Sequence, residues 1–404
     1  MRRVNFAVVM ATLGLGVFAG PALADVTAYE NVRLIVGNGS VVENATLVID
    51  GAKIVQTGTG VQVPAGATRV NLAGKTVMPA IIDSHVHLSA NRERLIRDLK
   101  QRGYWGVGAA MSLGTDNLDL LPMRTEAIPG AARFLSAGRG ITRKEPMRPT
   151  FQIETEEEGR KAVRDNVALG VQIIKIWVDD RDGKVQKVTP EQYAAIIDEA
   201  HKAGIRATAH IFNMEDAKGL MRAGLDAFAH GVRDRDVDDE TVAMFKARPN
   251  LVLNPNLPDR GVKVDRSWMR AGMTPDEFAK LETENIDRQQ QVKDFHGIQA
   301  RNLAKMNAAG VRIVMGTDGN RPWGPHEEME DMVLAGMTPM QVIVASTRNG
   351  AEFLRIADAG TLEAGKSADF IVLDANPVTD ITNTRKISSV VLRGVTVDRS
   401  QPVH

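Results

Sequence analysis

His85-Val86-His87 closes the apolar run Thr76-Val77-Met78-Pro79-Ala80-Ile81-Ile82-Asp83-Ser84. In a β-strand residues i and i+2 face the same way, so both imidazoles can aim a nitrogen lone pair at one point. Such a pair can hold a metal ion, although two strand histidines can equally be half-buried structural residues. Further groups of the same chemical kind end later strand-like runs. Lys175 lies late in Ile173-Ile174-Lys175-Ile176-Trp177, His210 ends Ala207-Thr208-Ala209-His210, His230 ends Ala227-Phe228-Ala229-His230, and Asp318 follows Val314-Met315-Gly316-Thr317. Taken singly, a histidine in such a place commonly makes a structural hydrogen bond, a lysine snorkels outward and an aspartate caps the next helix. Taken together they point to a shared metal site. Imidazole and carboxylate without thiolate suit Zn²⁺, with Mn²⁺, Co²⁺ or Ni²⁺ as alternatives.

The elements that must position these groups are legible in the pattern. After the strand bearing His85, strand-like runs recur at Gly106 to Met111, Arg133 to Ala137, Val171 to Val178, Ile205 to Ile211, Ala227 to His230, Leu251 to Asn254 and Arg312 to Gly316. Amphipathic stretches separate them, which argues for parallel strands with crossover helices. Three helices announce their starts with Thr189-Pro190, Thr274-Pro275 and Thr338-Pro339, and Gln192, Glu277 and Gln341 stand where a capping-box partner belongs. The predicted fold is α/β, a (β/α)8 TIM barrel over residues 76–359, with an open doubly wound sheet as the alternative. Residues 25–75 and 360–404 carry short β-type runs and turn residues, and neither segment is large enough to bury much alone. They are expected to pair as one small β-sandwich domain.

The chain has 404 residues, 43% hydrophobic and 25% charged, enough for a full enzyme core. Lysine plus arginine balances aspartate plus glutamate at 50 each, so no net field attracts nucleic acid or anionic lipid. Residues 1–24 read as a signal peptide: Arg2 and Arg3 precede an apolar stretch from Val4 to Gly20, and Ala22-Leu23-Ala24 fits a cleavage site after Ala24. An uncleaved anchor is the competing reading, but the stretch is short, is broken by Gly14, Gly16 and Gly20, and is followed by Pro21. The mature chain has no second stretch of spanning length, so no stable membrane insertion is expected. That places the protein in a periplasm or outside the cell, free to act alone or as a homo-oligomer. The absence of cysteine excludes disulfides and any thiolate ligand or nucleophile.

The order His85-X-His87, Lys175, His210, His230, Asp318 resembles the binuclear metal amidohydrolase superfamily, in the branch similar to imidazolonepropionases and prolidase-like carboxypeptidases. The runs Val77 to His85, Gly316-Thr317-Asp318 and Gly360 to Leu373 also carry the likeness, which covers nearly all of the mature chain. The resemblance implies two divalent ions, one held by His85, His87 and Asp318 and the other by His210 and His230. Lys175, as the carbamate it forms with carbon dioxide, would bridge them. Charge supports that assignment, because an ammonium cannot ligate a cation whereas a carbamate brings a negative charge shared by two oxygens. The same likeness implies a catalytic role for Asp318, which would take a proton from the attacking water and pass it to the leaving nitrogen.

Substrate choice is less defined. Many members of that branch carry a histidine in the loop after the third strand, where this chain has Gly138-Arg139-Gly140-Ile141-Thr142-Arg143-Lys144. Arg139 or Arg143 could bind an anion there, or each could be a solvated loop charge. An arginine fork suits a substrate carboxylate, which points to dipeptides or N-acyl amino acids cleaved next to a free C-terminus. Trp177, Arg181, Arg233 and Arg321 follow reactive strand ends and can shape the same pocket. His326 is close to Asp318 in sequence, His201 reads as exposed and inert, and His296 has no evident partner. The alternatives are hydrolysis of a cyclic amide, lactone or aryl amide, or a non-catalytic binding protein on the same fold.

Overall fold

A computed structural model describes residues 26–88, 91–145 and 148–403, so the expected leader at residues 1–24 lies outside the described residues. The chain opens with β1 (Val26–Ile35), β2 (Val41–Asp50), β3 (Lys53–Gly58), β4 (Thr68–Asn71) and β5 (Thr76–Pro79). It continues through β6 (Ile81–Val86), β7 (Val107–Ser112), β8 (Arg133–Ser136), β9 (Ile141–Thr142), β10 (Phe151–Gln152) and β11 (Ile174–Val178). Then come β12 (Ala207–Ile211), β13 (Ala227–Phe228), β14 (Val252–Leu253) and β15 (Arg312–Ile313), and finally β16 (Phe370–Leu373), β17 (Ile387–Leu392) and β18 (Val395–Thr396).

Strands from both chain ends share one eight-stranded sheet in the order β18-β17-β16-β5-β1-β2-β3, with β4 also on β1. Its strands serve two cores because their side chains alternate. Val77, Phe370 and Val372 join Val32, Leu34 and Leu47 in a small core of the sheet's own. Met78, Ile371 and Leu373 instead pack into the main core beside the central strands. The sheet rolls over the small core: Ile54 N donates to Lys366 O at 2.9 Å and Gly365 N to Ile54 O at 2.8 Å, so β3 returns to the chain entering β16.

The apolar run from Thr76 to Ser84 is therefore not one strand. Thr76 to Pro79 pairs with β1 and β16, whereas Ile81 onward pairs with β7. Ala80 is the crossing point, its N bonded to Asp369 O at 3.0 Å while Ile81 N bonds Gly106 O at 2.9 Å. Both halves are apolar because both are buried, so periodicity alone cannot show the break.

All eight expected central strands are present and parallel. β6-β7-β8 form one sheet, and β10-β9-β11-β12-β13-β14-β15 form a second. Backbone bonds join the two sheets at both sides, from Gln172 N to Ser136 O and from Ser84 N to Met315 O, each at 3.0 Å. Helices lie between successive strands, including Arg92–Tyr104, Glu156–Ala168, Pro190–Lys202, Gln290–Ala308 and Gly324–Leu334. The three Thr-Pro starts form capping boxes with Gln192, Glu277 and Gln341 as the local pattern requires. The result is a TIM-barrel-type α/β fold. Among the described residues no helix is long and apolar enough to cross a membrane.

Candidate metal centre

Parallel register sets the heights of the candidate groups. Trp177 pairs with His210 and Lys175 with Thr208, so the lysine sits one inward-facing step below the histidine. Lys175 is the second residue of its strand rather than a late one, and its long stem spans the difference in height. His230 lies two residues beyond β13, and Asp318 lies in the turn after β15. These positions converge. His85 Nε2 and His87 Nε2 lie 3.1 and 3.0 Å from Asp318 Oδ1, and His230 Nε2 lies 3.6 Å from Oδ2. The His210 and His230 rings stand 4.5 Å apart at 82°. Asp318 has φ of +51°, a left-handed conformation that costs a residue with a Cβ and is tolerated best by Asp and Asn.

The residues fit a divalent cation. One ligand atom from each of His85, His230 and Asp318 lies within 4.8 Å of the others. That trio takes members from both halves of the expected ligand set, so Asp318 stands between the halves. His85 Nδ1 faces Ala229 O at 3.2 Å, and the Asn256 amide oxygen, in the orientation that satisfies its surroundings, accepts from Nδ1 at 3.0 Å. With Nδ1 as the donor, Nε2 keeps its lone pair toward the centre, and it has no aligned hydrogen-bond partner of its own. Burial lowers His85 to about 4 and His210 to about 3, and pushes His230 far down, so all three are neutral and ligand-competent at pH 7.

Lys175 Nζ is buried without a hydrogen-bond partner. Burial lowers it to about 7; Asp318 opposes the shift, while Arg233, Arg148 and Arg181 add to it. Its nitrogen lies 5.0 Å from the Trp177 ring centroid, and Arg148 covers that ring at 4.8 Å. The indole also stacks on His87 at 6.3 Å. Burial raises Asp318, but His85 and His230 outweigh it and hold the carboxylate well below its usual range.

The expected substrate-contact residues divide by their partners. Arg143 bonds Glu154 and Gln186, and Arg321 bonds Glu284 at 3.1 Å. Arg181 bonds Asp179 and reaches Glu145 at 3.4 Å. Arg233 touches His230 Nδ1, and Arg139 holds Asn166 through its backbone; neither forms an ion pair with a carboxylate among the described residues. His326 is taken away from the site, its two nitrogens facing Thr384 Oγ1 and Trp105 O at 3.0 and 2.9 Å. His201 pairs with Asp226 on the surface, and half-buried His296 lies near Arg260 and Asp259.

Asn256 beside His85 and Arg148 over Trp177 escaped the sequence reading, and so did two carboxylates. Asp179 Oδ2 lies 3.0 Å from His210 Nε2 and is held below its usual range by His210 and Arg181 despite partial burial. Asp83, buried on β6, accepts from Thr317 N at 3.1 Å and from Thr317 Oγ1 at 2.9 Å. The same-face spacing that links His85 to His87 also reaches Asp83, which was the available signal.

On this TIM-barrel-type scaffold His85, His230 and Asp318 form a group that could hold a metal ion, an arrangement suited to metal-assisted hydrolysis. Residues 76–397 match the amidohydrolase family, and the chain belongs to it. Members typically bind metals, and the protein is a hydrolase acting on amide bonds. A crystal structure of a Bifidobacterium longum protein assigned as a prolidase is 26% identical, with a TM-score of 0.78, covering 95% of this chain and 97% of that one. Imidazolonepropionase of Streptomyces griseus is 26% identical over 366 residues, covering 84% of this chain and 88% of the relative. Ochratoxinase of Aspergillus niger is 24% identical over 426 residues, covering 90% of this chain and 84% of the relative.

Proposed function

We propose that the protein is an exported binuclear metal hydrolase of dipeptides or N-acyl amino acids, cleaving the amide bond next to a free C-terminal carboxylate. The observation that carries the substrate class is Arg233, a guanidinium among the candidate ligands that has no carboxylate ion pair among the described residues. A half-buried arginine in that state suits a substrate carboxylate, which it can meet with two parallel bonds. In this reading His85, His87 and Asp318 would hold one ion, His210 and His230 would hold the other, and Lys175, as its carbamate, would be the ligand they share. Zn²⁺ is the ion this donor set suits. Two such ions, when bound, would supply a nucleophile from water near neutral pH and a Lewis acid for the scissile carbonyl.

The chain's own residues do the rest. Asp318 takes the proton of the attacking water and delivers it to the leaving nitrogen as the carbon–nitrogen bond breaks, giving an acid and an amine. Trp177 walls the site beside His87, and Arg148 lies over its ring. Asp179 orients His210, and Arg181, Arg139, Arg143 and Arg321 shape the approach. Export rests on the leader and its break after Ala24, and places the reaction in the periplasm or outside the cell. A sequence relative named imidazolonepropionase supports, as a second reading, a cyclic amide at the same centre, with a lactone or aryl amide as its variants.

A matched substrate panel tests the reading: dipeptides and N-acyl amino acids as free acids, the same compounds as C-terminal amides, and neutral lactones and aryl amides. The free acids should turn over best, and turnover of the neutral compounds alone refutes the carboxylate assignment. Elemental analysis should find close to two ions per chain, and Lys175→Ala should lose metal and activity together. Full activity of that variant with one tightly held ion refutes the bridged centre. The N-terminus of exported protein should read Asp25.

A further inference from the structure

Asp318 carries its function in this reading from a turn that is unfavourable on its own, since a residue with a Cβ sits at φ of +51°. Something must hold it. Thr317 N and Asp318 N both donate to His85 O, at 3.1 and 2.7 Å, which ties the turn to β6. The residues on either side of Asp318 are gripped as well. Before it, Thr317 gives its N and Oγ1 to the two oxygens of Asp83, and Asp83 Oδ1 also accepts from His85 N at 3.3 Å. After it, Gly319 O accepts from Arg102 Nη2 at 3.2 Å. Asp83 and Arg102 are both fully buried and oppositely charged, one from β6 and one from the helix Arg92–Tyr104. Each attracts the other, although they form no direct ion pair among the described residues.

We infer that Asp83 and Arg102 form a buried clasp that positions Asp318, holding its turn so that one carboxylate oxygen faces His85 and His87 and the other faces His230. Asp83 is thus a positioning residue and not a catalytic one. It sits two residues before His85 on the same strand face, so one short segment supplies two ligands and also fixes the separate turn that bears the acid. A carboxylate is suited to this work because it is acceptor-only on both oxygens: Oδ1 takes two backbone N–H groups and Oδ2 takes a hydroxyl. The inference rests on the role proposed for Asp318, but metal retention reads the clasp without any substrate.

Three variants test it. Thr317→Val keeps the shape of the side chain and removes the hydroxyl, which donates to Asp83 Oδ2, reaches His85 O at 3.4 Å and accepts from Gly319 N at 3.4 Å; Asp83→Ala removes all three bonds that Asp83 accepts. Both should lower kcat about tenfold or more with KM little changed, because no substrate contact is touched, and should speed metal loss to a chelator by a similar factor. Asp83→Asn retains an oxygen for the two backbone N–H groups and an amide that can donate to Thr317 Oγ1. It should recover most of both losses, to within about threefold of the parent protein. A role in folding alone predicts otherwise: lower melting temperatures, but unchanged kcat per folded molecule and unchanged chelator kinetics in Thr317→Val and Asp83→Ala. That result overturns the inference. Should Asp83→Ala fail to fold, Thr317→Val still decides. If the parent protein hydrolyses no amide while the chelator series behaves as stated, the proposed function fails and the clasp stands.

Discussion

Gly140 is the closest glycine neighbour of Trp177, and adding one methyl there should disable the site through the indole. A Cβ at position 140 would lie 2.1 Å from Trp177 Cζ3, 2.9 Å from Cε3 and 3.0 Å from Cη2. Carbon atoms in contact sit about 3.5–4.0 Å apart, so the ring must withdraw by roughly 1.5 Å. It has little room to do so, because a Cβ at Gly114 would already meet the same ring at 2.8 Å and Arg148 covers its face. Overpacking of this kind costs about 1–3 kcal/mol, and the clamped ring argues for the upper half of that range. The withdrawn indole also disturbs its stack with His87 and its contact with Lys175, and misplacement by about 1 Å at a reacting centre can cost roughly 10²-fold in rate. Gly140→Ala should therefore lose about 2 kcal/mol in urea unfolding and at least about tenfold in kcat. The assay is kcat with metal content measured on the same preparation. A variant with the parent's unfolding midpoint refutes the packing argument, and one with lowered stability but unchanged kcat refutes the link from Trp177 to the centre.

Gly297→Ala is the contrasting case: it lies within the helix Gln290–Ala308, and the nearest atom to its new Cβ is the mobile end of Arg301 at 3.2 Å. Urea unfolding should show a gain of about 0.5–1 kcal/mol with unchanged kcat. Lys175→Met replaces a buried amine that lacks a partner with an apolar chain of similar length. It should raise the melting temperature of the metal-free protein while elemental analysis shows metal lost. Asp331 tests the pH dependence of stability, because burial raises it from 3.8 to about 7 even though Arg260 Nε approaches within 2.8 Å. An acid whose pKa is raised by folding favours the folded state most at low pH and loses that contribution as pH rises from about 4 to 7. Asp331→Asn should match the parent near pH 4 and exceed it at pH 8 by on the order of 2–3 kcal/mol, read from urea midpoints at the two pH values.

What could be read from the sequence follows from the range of the interaction that sets each feature. The three capping boxes are local: Thr189, Thr274 and Thr338 find partners three residues on, so the pattern and the structure coincide. The strand order is nearly as local, since alternating apolar runs and crossover helices leave few ways to connect. His85, His230 and Asp318, which the structure brings together, were legible because each is a reactive residue type at or just past the end of a strand; Lys175, second in its strand, breaks that pattern. His326 shows where that logic ends. Eight residues from Asp318 in sequence, it rides a helix that delivers it to Trp105 and Thr384.

The arginines make the same point with more consequence for function. Arg143 meets Glu154 and Arg321 meets Glu284, pairs separated by 11 and 37 residues, and nothing in the local sequence distinguishes those guanidiniums from Arg233. In a chain with 50 basic and 50 acidic side chains, most charges find an opposite by tertiary packing. The informative property is the lack of such a partner in a half-buried place. That property belongs to the fold, because it depends on which carboxylates the barrel brings within reach. It separates Arg233 and Arg139 from arginines that look the same in sequence, and it makes substrate preference a question about the charge beside His230. Removing that charge as Arg233→Gln should raise KM for free acids while leaving their C-terminal amides nearly unchanged. Equal effects on the two substrate forms would show that Arg233 supports the histidine instead of reading the carboxylate.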